Sequence, residues 1–587
     1  MIKLPPWVQT NRSDALGSLV GSFGLDFYSN PPNIRTTRTI TTQSGLSGVP
    51  IGFKQIPSGG EYIYTVAGTS VYVNQQTVVN GTFSVDTDTG TPTTSSANSD
   101  IETYNGSLYV TAASGGNGKL YKNALAGSWV NNNLIGTNGD GPWMMTVFEG
   151  RLYISVGTLG RIVSTTDGTT FATTGANTLN LGTTNTLRIT FLRASSNRIW
   201  IGVVANGGNK GFVYEWDGKN ASDTVTKAYR LESSGALACV IKDDIPWIMD
   251  TNGRLSVFSG GTFKEVARLP LNNKRIYNAT ATTNIRFIHP NGMTLANGRI
   301  NLLINNVMED SVSSIPEFCP SGIWEYDEER GLTHKYALSY LPVGTNTITD
   351  YGQNRISLAG GLSSMKTINS AASATGDLLA GATVYTNATA TSACTFTNDT
   401  FDAVSGTTGQ YATQGSGYIV TTLIESPEVE ADWQKVFLFY EKLLTSTDSL
   451  ILKYRLNKAT PTDITLTWTS TSTFTTTTNV LGLEGYEVEI TQGSGSGKTA
   501  HISSIDVAGS TYTIHLDDTF TGAASTAKAR IQNWKKAGTI ANQTVQVSEV
   551  PIGASNPWIQ LKLCFLFSGP NEFNKLTLIN QAHALDK

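Results

Sequence analysis

An all-β chain, a seven-bladed β-propeller followed by a β-sandwich that carries an inserted small β domain, is the fold this sequence predicts, and three observations predict its larger part. A turn residue followed by an apolar-x-apolar triplet returns seven times, at Tyr62, Leu108, Leu152, Ile199, Trp247, Ile300 and Ile356, in steps of 46, 44, 47, 48, 53 and 56 residues. Each triplet has a second one downstream, at Val71, Leu120, Ile162, Phe212, Leu255, Ile323 and Val384, where the hairpin partner within one blade belongs. Turns that tolerate positive φ punctuate the strands: Asn105-Gly106, Asp167-Gly168, Asp217-Gly218, Asn252-Gly253, Gly260-Gly261 and Asn297-Gly298. Four strands of about five or six residues plus turns consume roughly 40 to 50 residues, which matches the period, whereas leucine-rich and tetratricopeptide repeats are shorter and helical.

The first element in chain order is a Pro-, Asn- and Thr-rich segment, residues 1–58, with Pro31-Pro32 and little periodicity. It reads either as an extended assembly arm or as the supplier of the strand that closes the propeller. Residues 59–412 form the propeller, its last unit loosened by a Ser-, Ala- and Thr-rich stretch between Ser363 and Thr408. The 28 residues from Ile356 to Val384 exceed the 9 to 13 of the regular early blades, so that unit is where the count of seven is weakest. Longer alternating strands then begin: Val436, Leu438 and Tyr440; Leu450, Leu452 and Tyr454; and Trp558 to Phe567. They predict a sandwich over residues 413–478 and 534–587. A compact β run at 479–533, with Gly-rich turns, reads as a domain inserted in a sandwich loop, where chain ends lie close together.

Composition narrows the function classes. Charged residues make up 15% of the 587, against about 25% in ordinary soluble proteins, and Thr, Ser, Asn and Gly take their place. A net charge of −4, from 41 basic and 45 acidic residues with no basic run, predicts no specific nucleic-acid binding. Cys239, Cys319, Cys394 and Cys564 are too dispersed for a metal ribbon and too few for a disulfide scaffold. The segment Met1 to Trp7 has no apolar run of the kind a secretory signal needs, and no stretch approaches the roughly 18 apolar residues of a membrane span.

The propeller, the following Gly417-Tyr418-Ile419-Val420-Thr421-Thr422 strand and the strand Trp433-Gln434-Lys435-Val436-Phe437-Leu438 together resemble virion structural proteins of tailed bacteriophages. The resemblance is one of architecture and covers most of the chain. It implies a noncatalytic tail component (nozzle, tail-tip or fibre-associated protein) made in the host cytoplasm and located in the virion. Its implied role is virion assembly, host attachment or DNA delivery. Implied partners are other copies of the chain in a symmetric ring or cluster, neighbouring tail proteins and host surface glycan. The competing readings are a carbohydrate-binding adhesin and a secreted glycoside hydrolase of the propeller type.

Taken residue by residue, the candidate chemistry leads to the expectation of no catalytic, cofactor-binding or metal-binding residue. Ser164 to Phe171 resembles the Asp-box of sialidase-type propellers, a hairpin turn remote from chemistry, with Thr166 in place of the first Asp and Phe171 of the usual Trp. Arg151, Arg198, Arg299 and Arg355 recur just before blade strands, which fits a repeated structural contact better than a carboxylate clamp. Gly493-Ser494-Gly495-Ser496-Gly497-Lys498-Thr499 mimics a phosphate loop, but Gln492 stands where the first Gly is needed and a strand pattern comes next instead of a helix. His289, His334, His501, His515 and His583 lack metal spacing, although His501 and His515 could meet across a hairpin. Glu428, Glu430 and Asp432 form an acidic row read as protection of a strand edge. Tyr121, Trp129, Tyr214, Trp216, Trp324 and Tyr326 are read as packing between blades in preference to stacking on sugars.

Overall fold

Apart from one short 3-10 turn at Gly157–Leu159, every regular element described in the computed structural model is a β-strand. The structure describes most of residues 2–582, leaving aside chiefly 5–18, 27–33, 76–82, 182–186, 270–287, 305–321, 338–360, 366–376, 398–414, 426–430, 441–448 and 493–498. β-branched and aromatic residues fill the strands, and Gly106, Gly168, Gly218, Gly253, Gly260 and Gly261 take positive φ in the turns, as the dipeptides require. Among the described residues no helix is long and apolar enough to cross a membrane.

Six four-stranded antiparallel sheets are each built from consecutive strands, which makes six blades. The first runs from Pro50–Pro57 through Glu61–Ala67 and Ser70–Gln75 to Ser84–Val85, and the second from Ile101–Tyr104 through Ser107–Ser114 and Asn117–Asn123 to Trp129–Thr137. The third comprises Met145–Phe148, Arg151–Val156, Arg161–Thr165 and Leu179–Asn180; the fourth Leu187–Ala194, Ile199–Ala205, Phe212–Trp216 and Lys227–Arg230. The fifth spans Ala236–Lys242 to Thr262–Arg268, and the sixth Met293–Ala296 to Gly331–Ala337. In each, the recurring triplet opens the second strand and its downstream partner lies at or near the start of the third.

The repeat count of seven needs correction. Six continuous blades are present, and after the sixth comes a composite sheet: Leu362–Met365, Asp377–Val384 and Ala390–Thr397 with Thr41–Gln43 from the N-terminal segment as fourth strand. Val384 ends the second strand of that sheet instead of opening a third, and Asn354, Arg355 and Ile356 lie outside the described residues. The N-terminal segment is likewise more than an arm. Its last part is the innermost strand of the first blade, and Ile2–Leu4, Leu19–Phe23 and Ile34–Thr36 pair with Glu572–Ala582, Gly415–Thr421 and Glu572–Ala582 respectively.

After the propeller two sheets face one another over a core of Ile419, Trp433, Val436, Leu438, Leu450, Leu452, Leu561, Leu563 and Phe565. Strand Ala431–Tyr440 lies between Val547–Ser555 and Glu572–Ala582, so Asp432 sits on a central strand and the edge-protection reading fails; Glu428 and Glu430 lie outside the described residues. The second sheet continues into a closed ring of strands, Thr526–Ala541, Thr462–Trp468, Thr473–Thr476, Thr511–Leu516, Thr499–Ala508 and Tyr486–Gln492, the last pairing back with the first. This barrel begins at Thr462, ahead of the expected 479, because Ile464, Leu466 and Trp468 point into its core with Phe474, Val488, Ile490 and Ile514. The 16-residue strand Thr526–Ala541 belongs to both bodies: its first part pairs with Thr462–Trp468 of the barrel and its last part with Ser449–Arg455 of the sandwich.

Neighbouring blades are joined by aromatic rings seated beneath glycine turns. A Cβ on Gly168, in the turn after the third strand of the third blade, would lie 2.5 Å from the Tyr109 ring of the second. Tyr153 Oη of the third blade donates to the Gly218 carbonyl of the fourth at 2.9 Å, and Trp200 of the fourth packs on Phe258 and Phe263, which flank Gly260-Gly261 of the fifth. Gly168→Ala should therefore lower stability by about 2–3 kcal/mol, since alanine is penalised both by φ of +76° and by displacing the ring. In urea titrations its effect should be less than additive with that of Tyr109→Leu; strict additivity would deny the contact. Deleting residues 2–43 removes strands from three sheets, so the melting midpoint should fall while amides of the six continuous blades keep their hydrogen-exchange protection.

Candidate functional site at the propeller axis

The innermost strands of the blades converge on the axis, where a propeller offers its concave site, and three polar side chains that no repeat pattern marks meet there. Asp100 precedes the inner strand of the second blade, Asn291 precedes that of the sixth, and Arg193 lies in that of the fourth. The Asn291 amide donates to Asp100 Oδ1 at 2.7 Å and to the Ile51 carbonyl at 3.2 Å, while its oxygen accepts from Arg193 Nη2 at 2.8 Å. Arg193 also donates to the carbonyls of Pro290 at 2.9 Å and Cys239 at 3.1 Å. Asp100 Oδ2 accepts from the Met145 amide at 2.8 Å. One side-chain relay thus reaches all six continuous blades.

Asp100 is fully enclosed, and burial pushes its carboxyl above the usual carboxylate range, against the pull of the Arg193 charge, the Met145 amide and Asn291. The hydrogen-bonding capacity of these groups is taken up by one another and by main-chain carbonyls, so chemically the arrangement holds strands in place. A buried hydroxyl supports the same level from behind: Thr111 Oγ1 accepts from the Asp100 amide at 2.8 Å and donates to the Trp143 carbonyl at 2.8 Å. Thr65 donates to the Gly52 carbonyl at 2.7 Å, and Ser155 Oγ accepts from the Met144 amide at 2.8 Å. These hydroxyls stand three places beyond the triplet starts at Tyr62, Leu108 and Leu152. That spacing is the one sequence signal that leads toward the axis; Asp100, Arg193 and Asn291 have none.

The residues singled out from the sequence are dispersed elsewhere. Asp167 caps its own turn, accepting from the amides of Thr169 and Thr170 at 2.7 Å each and from Thr165 Oγ1 at 2.9 Å, and these bonds hold its carboxyl well below the usual range. Arg198 pairs with Glu215 on the adjacent strand at 2.9 Å, and Arg299 with Asp327 at 3.0 Å and Glu325 at 3.4 Å, while Arg151 is half-buried; Arg355 lies outside the described residues. Tyr121, Trp129, Trp216, Trp324 and Tyr326 are buried and Tyr214 half-buried, with Trp216 edge-on to Tyr153 and Trp129 donating to Asp86 at 2.9 Å.

The histidines do not converge. His289 Nδ1 accepts from the backbone N–H of Asn291, while His501 bonds Asp517 at 3.3 Å and His515 bonds Asp506 at 2.9 Å, so His501 and His515 take separate partners. His583, the His334 side chain and Gly493 to Lys498 lie outside the described residues, and the latter loop joins the antiparallel strands Tyr486–Gln492 and Thr499–Ala508. Among the described residues no group of three or more His, Cys, Asp or Glu is placed to hold a metal ion.

No family model matches the chain, and no curated protein matches it. Among solved structures it is similar to a streptogramin B lyase, at 13% identity and a TM-score of 0.39 over 61% of this chain and 97% of the other. It is similar also to virginiamycin B lyase from Staphylococcus aureus, at 14% and 0.33 over 50% and 97%, and to the computationally designed Ika8 protein, at 12% and 0.33 over 61% and 99%. Likenesses at these scores carry no argument about activity. The axial relay itself yields a prediction: Asn291→Ala strips the enclosed Asp100 of a donor and the half-buried Arg193 of an acceptor, and should cost about 1–3 kcal/mol in urea unfolding. A loss below about 0.5 kcal/mol, the range of ordinary surface substitutions, would show the relay to be dispensable.

Proposed function

We propose that the chain is a noncatalytic structural component of a bacteriophage tail, acting as one copy in a symmetric ring or cluster and contacting neighbouring tail proteins. The observation that carries this reading is the axis itself. Where a catalytic propeller presents its reacting groups, Asp100, Asn291 and Arg193 are committed to holding six blades together. The composite sheet adds to this: its inner strand Leu362–Met365 packs between the inner strands of the sixth and first blades, and Thr41–Gln43 supplies its fourth strand from the N-terminal segment. A propeller, sandwich and barrel built from a chain low in charge and rich in Thr, Ser, Asn and Gly supports a building block whose contacts are completed by its neighbours.

The resemblance to tail proteins of tailed phages drawn from the sequence supports a location in a virion, after synthesis in the host cytoplasm. Any recognition of host glycan then belongs to exposed hairpins or the barrel, because the aromatic residues of the blades are largely enclosed. Two measurements test the reading together. An antibody against the barrel should decorate the tails of purified particles in electron micrographs, and the purified chain should release no reducing sugar from host envelope. Particles without label would remove the tail assignment. Saturable sugar release lost on changing a single Asp, Glu or Tyr would establish the glycoside hydrolase instead.

A further inference from the structure

The outer face of the barrel carries a row of threonines that belongs to no blade and to no core. Ile464, Leu466, Trp468, Phe474, Ile514, Ala527 and Ala529 point into the barrel, so by strand alternation Thr465, Thr467, Thr473, Thr475, Thr511, Thr513 and Thr526 point outward. Register brings four of them into line. Thr526 stands directly opposite Thr467, Thr467 opposite Thr475, and Thr475 opposite Thr513. Neighbouring strands lie roughly 4.8 Å apart, so the row crosses four strands in about 14 Å. Thr467 and Thr526 are exposed, and Thr475 and Thr513 half-buried. Among the described residues the hydroxyls of Thr467, Thr513 and Thr526 have no hydrogen-bond partner, and Thr475 Oγ1 donates to the Thr467 carbonyl at 3.4 Å. The sandwich covers a different side of the barrel, that of the buried Glu487 and Lys453, and leaves this face open.

The charged groups around the row largely answer one another. Asp506, opposite Thr513, pairs with His515 at 2.9 Å; Arg530 pairs with Asp463 at 2.6 Å; and Lys528 stands opposite Thr465 beside the row. Little net charge is left to draw an anionic ligand. Nor does the row offer what a protein partner takes, because the core of a protein interface is apolar and aromatic. The large apolar side chains that the barrel exposes, Leu481 and Val507, are not in it. What it does offer is a regular series of hydroxyls, each able to donate and to accept, with methyl groups beside them. A neutral carbohydrate chain is the complement of such a surface, since its own hydroxyls recur along the chain and its C–H groups are apolar.

We propose that the face formed by Thr526, Thr467, Thr475 and Thr513 binds a neutral glycan chain, its sugars running across the four strands. The inference rests on the tail reading for the source of that glycan, a host surface, and narrows recognition from the barrel as a whole to these side chains. Thr465, Thr473 and Thr511 lie one two-residue step along their strands, roughly 7 Å to either side of the row, and widen the surface. Each contact is weak, because an exposed hydroxyl exchanges a hydrogen bond to water for one to sugar. Binding therefore depends on several hydroxyls in register within one chain, and on several chains in one assembly gripping the same polymer.

The test is an oligosaccharide array probed with the full chain. It displays linear glucan, mannan and galactan oligosaccharides beside sialylated and sulfated glycans. At least one neutral class should be retained, and the charged glycans should not. The triple variant Thr467→Val, Thr475→Val and Thr513→Val keeps the shape of each side chain and suits a strand, so it should melt near the parent while binding at least about tenfold more weakly. Thr262→Val, on the exposed edge strand of the fifth blade, should bind as the parent does. Retention of no neutral glycan overturns the proposal, as does a triple variant that binds like the parent. A triple variant that alters the sedimentation of the chain and leaves sugar retention intact makes the row a contact between copies instead. Antibody labelling of particles tests the tail reading separately, so either can fail without the other.

Discussion

The second, third and fourth blades are keyed to one another by one repeated contact, an aromatic ring from the second strand of a blade lodged beneath the glycine turn of the next. Tyr109 under Gly168 and Tyr153 under Gly218 share the same geometry, and Trp200 against Phe258 and Phe263 is its apolar version. A blade alone is a four-stranded sheet with two open faces and cannot bury enough apolar area to be stable. The ring covers a face, and its hydroxyl or edge fixes how far one blade rotates on the next. Glycine is required at Gly168 because a side chain there would occupy the space of the Tyr109 ring, and at Gly218 it would crowd Phe148 and Tyr153. Once that angle is set, the inner strands arrive at the axis close enough for Asn291 to bridge Asp100 and Arg193.

Charge is scarce in this chain, and a small part of it is enclosed. At the axis, a carboxylate and a guanidinium are connected through an amide and tied to main-chain groups of the continuous blades. Where barrel and sandwich meet, Lys453 and Glu487 are enclosed together, and Lys536 and Asp517 pair at a partly exposed edge. Both arrangements are directional, and both penalise misassembly, because a slipped blade or a misdocked barrel would strand a buried charge. Other described ion pairs, such as Lys219–Glu149 and Lys210–Glu232, are exposed, so the outer surface mixes sparse charges of both signs with Thr, Ser, Asn and Gly.

The all-β class, the six continuous blades with their hairpins and the sandwich strands are legible in the sequence, because period-2 alternation and glycine turns are local consequences of residue identity. Ile464, Leu466 and Trp468 likewise announce a strand with one buried face. They do not say what covers that face, and this is why the sequence alone assigns Thr462–Trp468 to the sandwich when it belongs to the barrel. Lys453, alternating with Leu452 and Tyr454, reads as solvent-facing for the same reason, yet the barrel covers it. The composite sheet is illegible because its fourth strand, Thr41–Gln43, pairs with Ala393, Cys394 and Thr395 at the far end of the propeller sequence. Asp100, Arg193 and Asn291 carry no shared motif, since each comes from a different blade and a different position relative to its triplet. Local sequence thus determined what each segment is and which way its side chains alternate; the tertiary structure alone decided which segments meet, because pairing across long separations is selected by the sum of burial and polar satisfaction over the whole molecule.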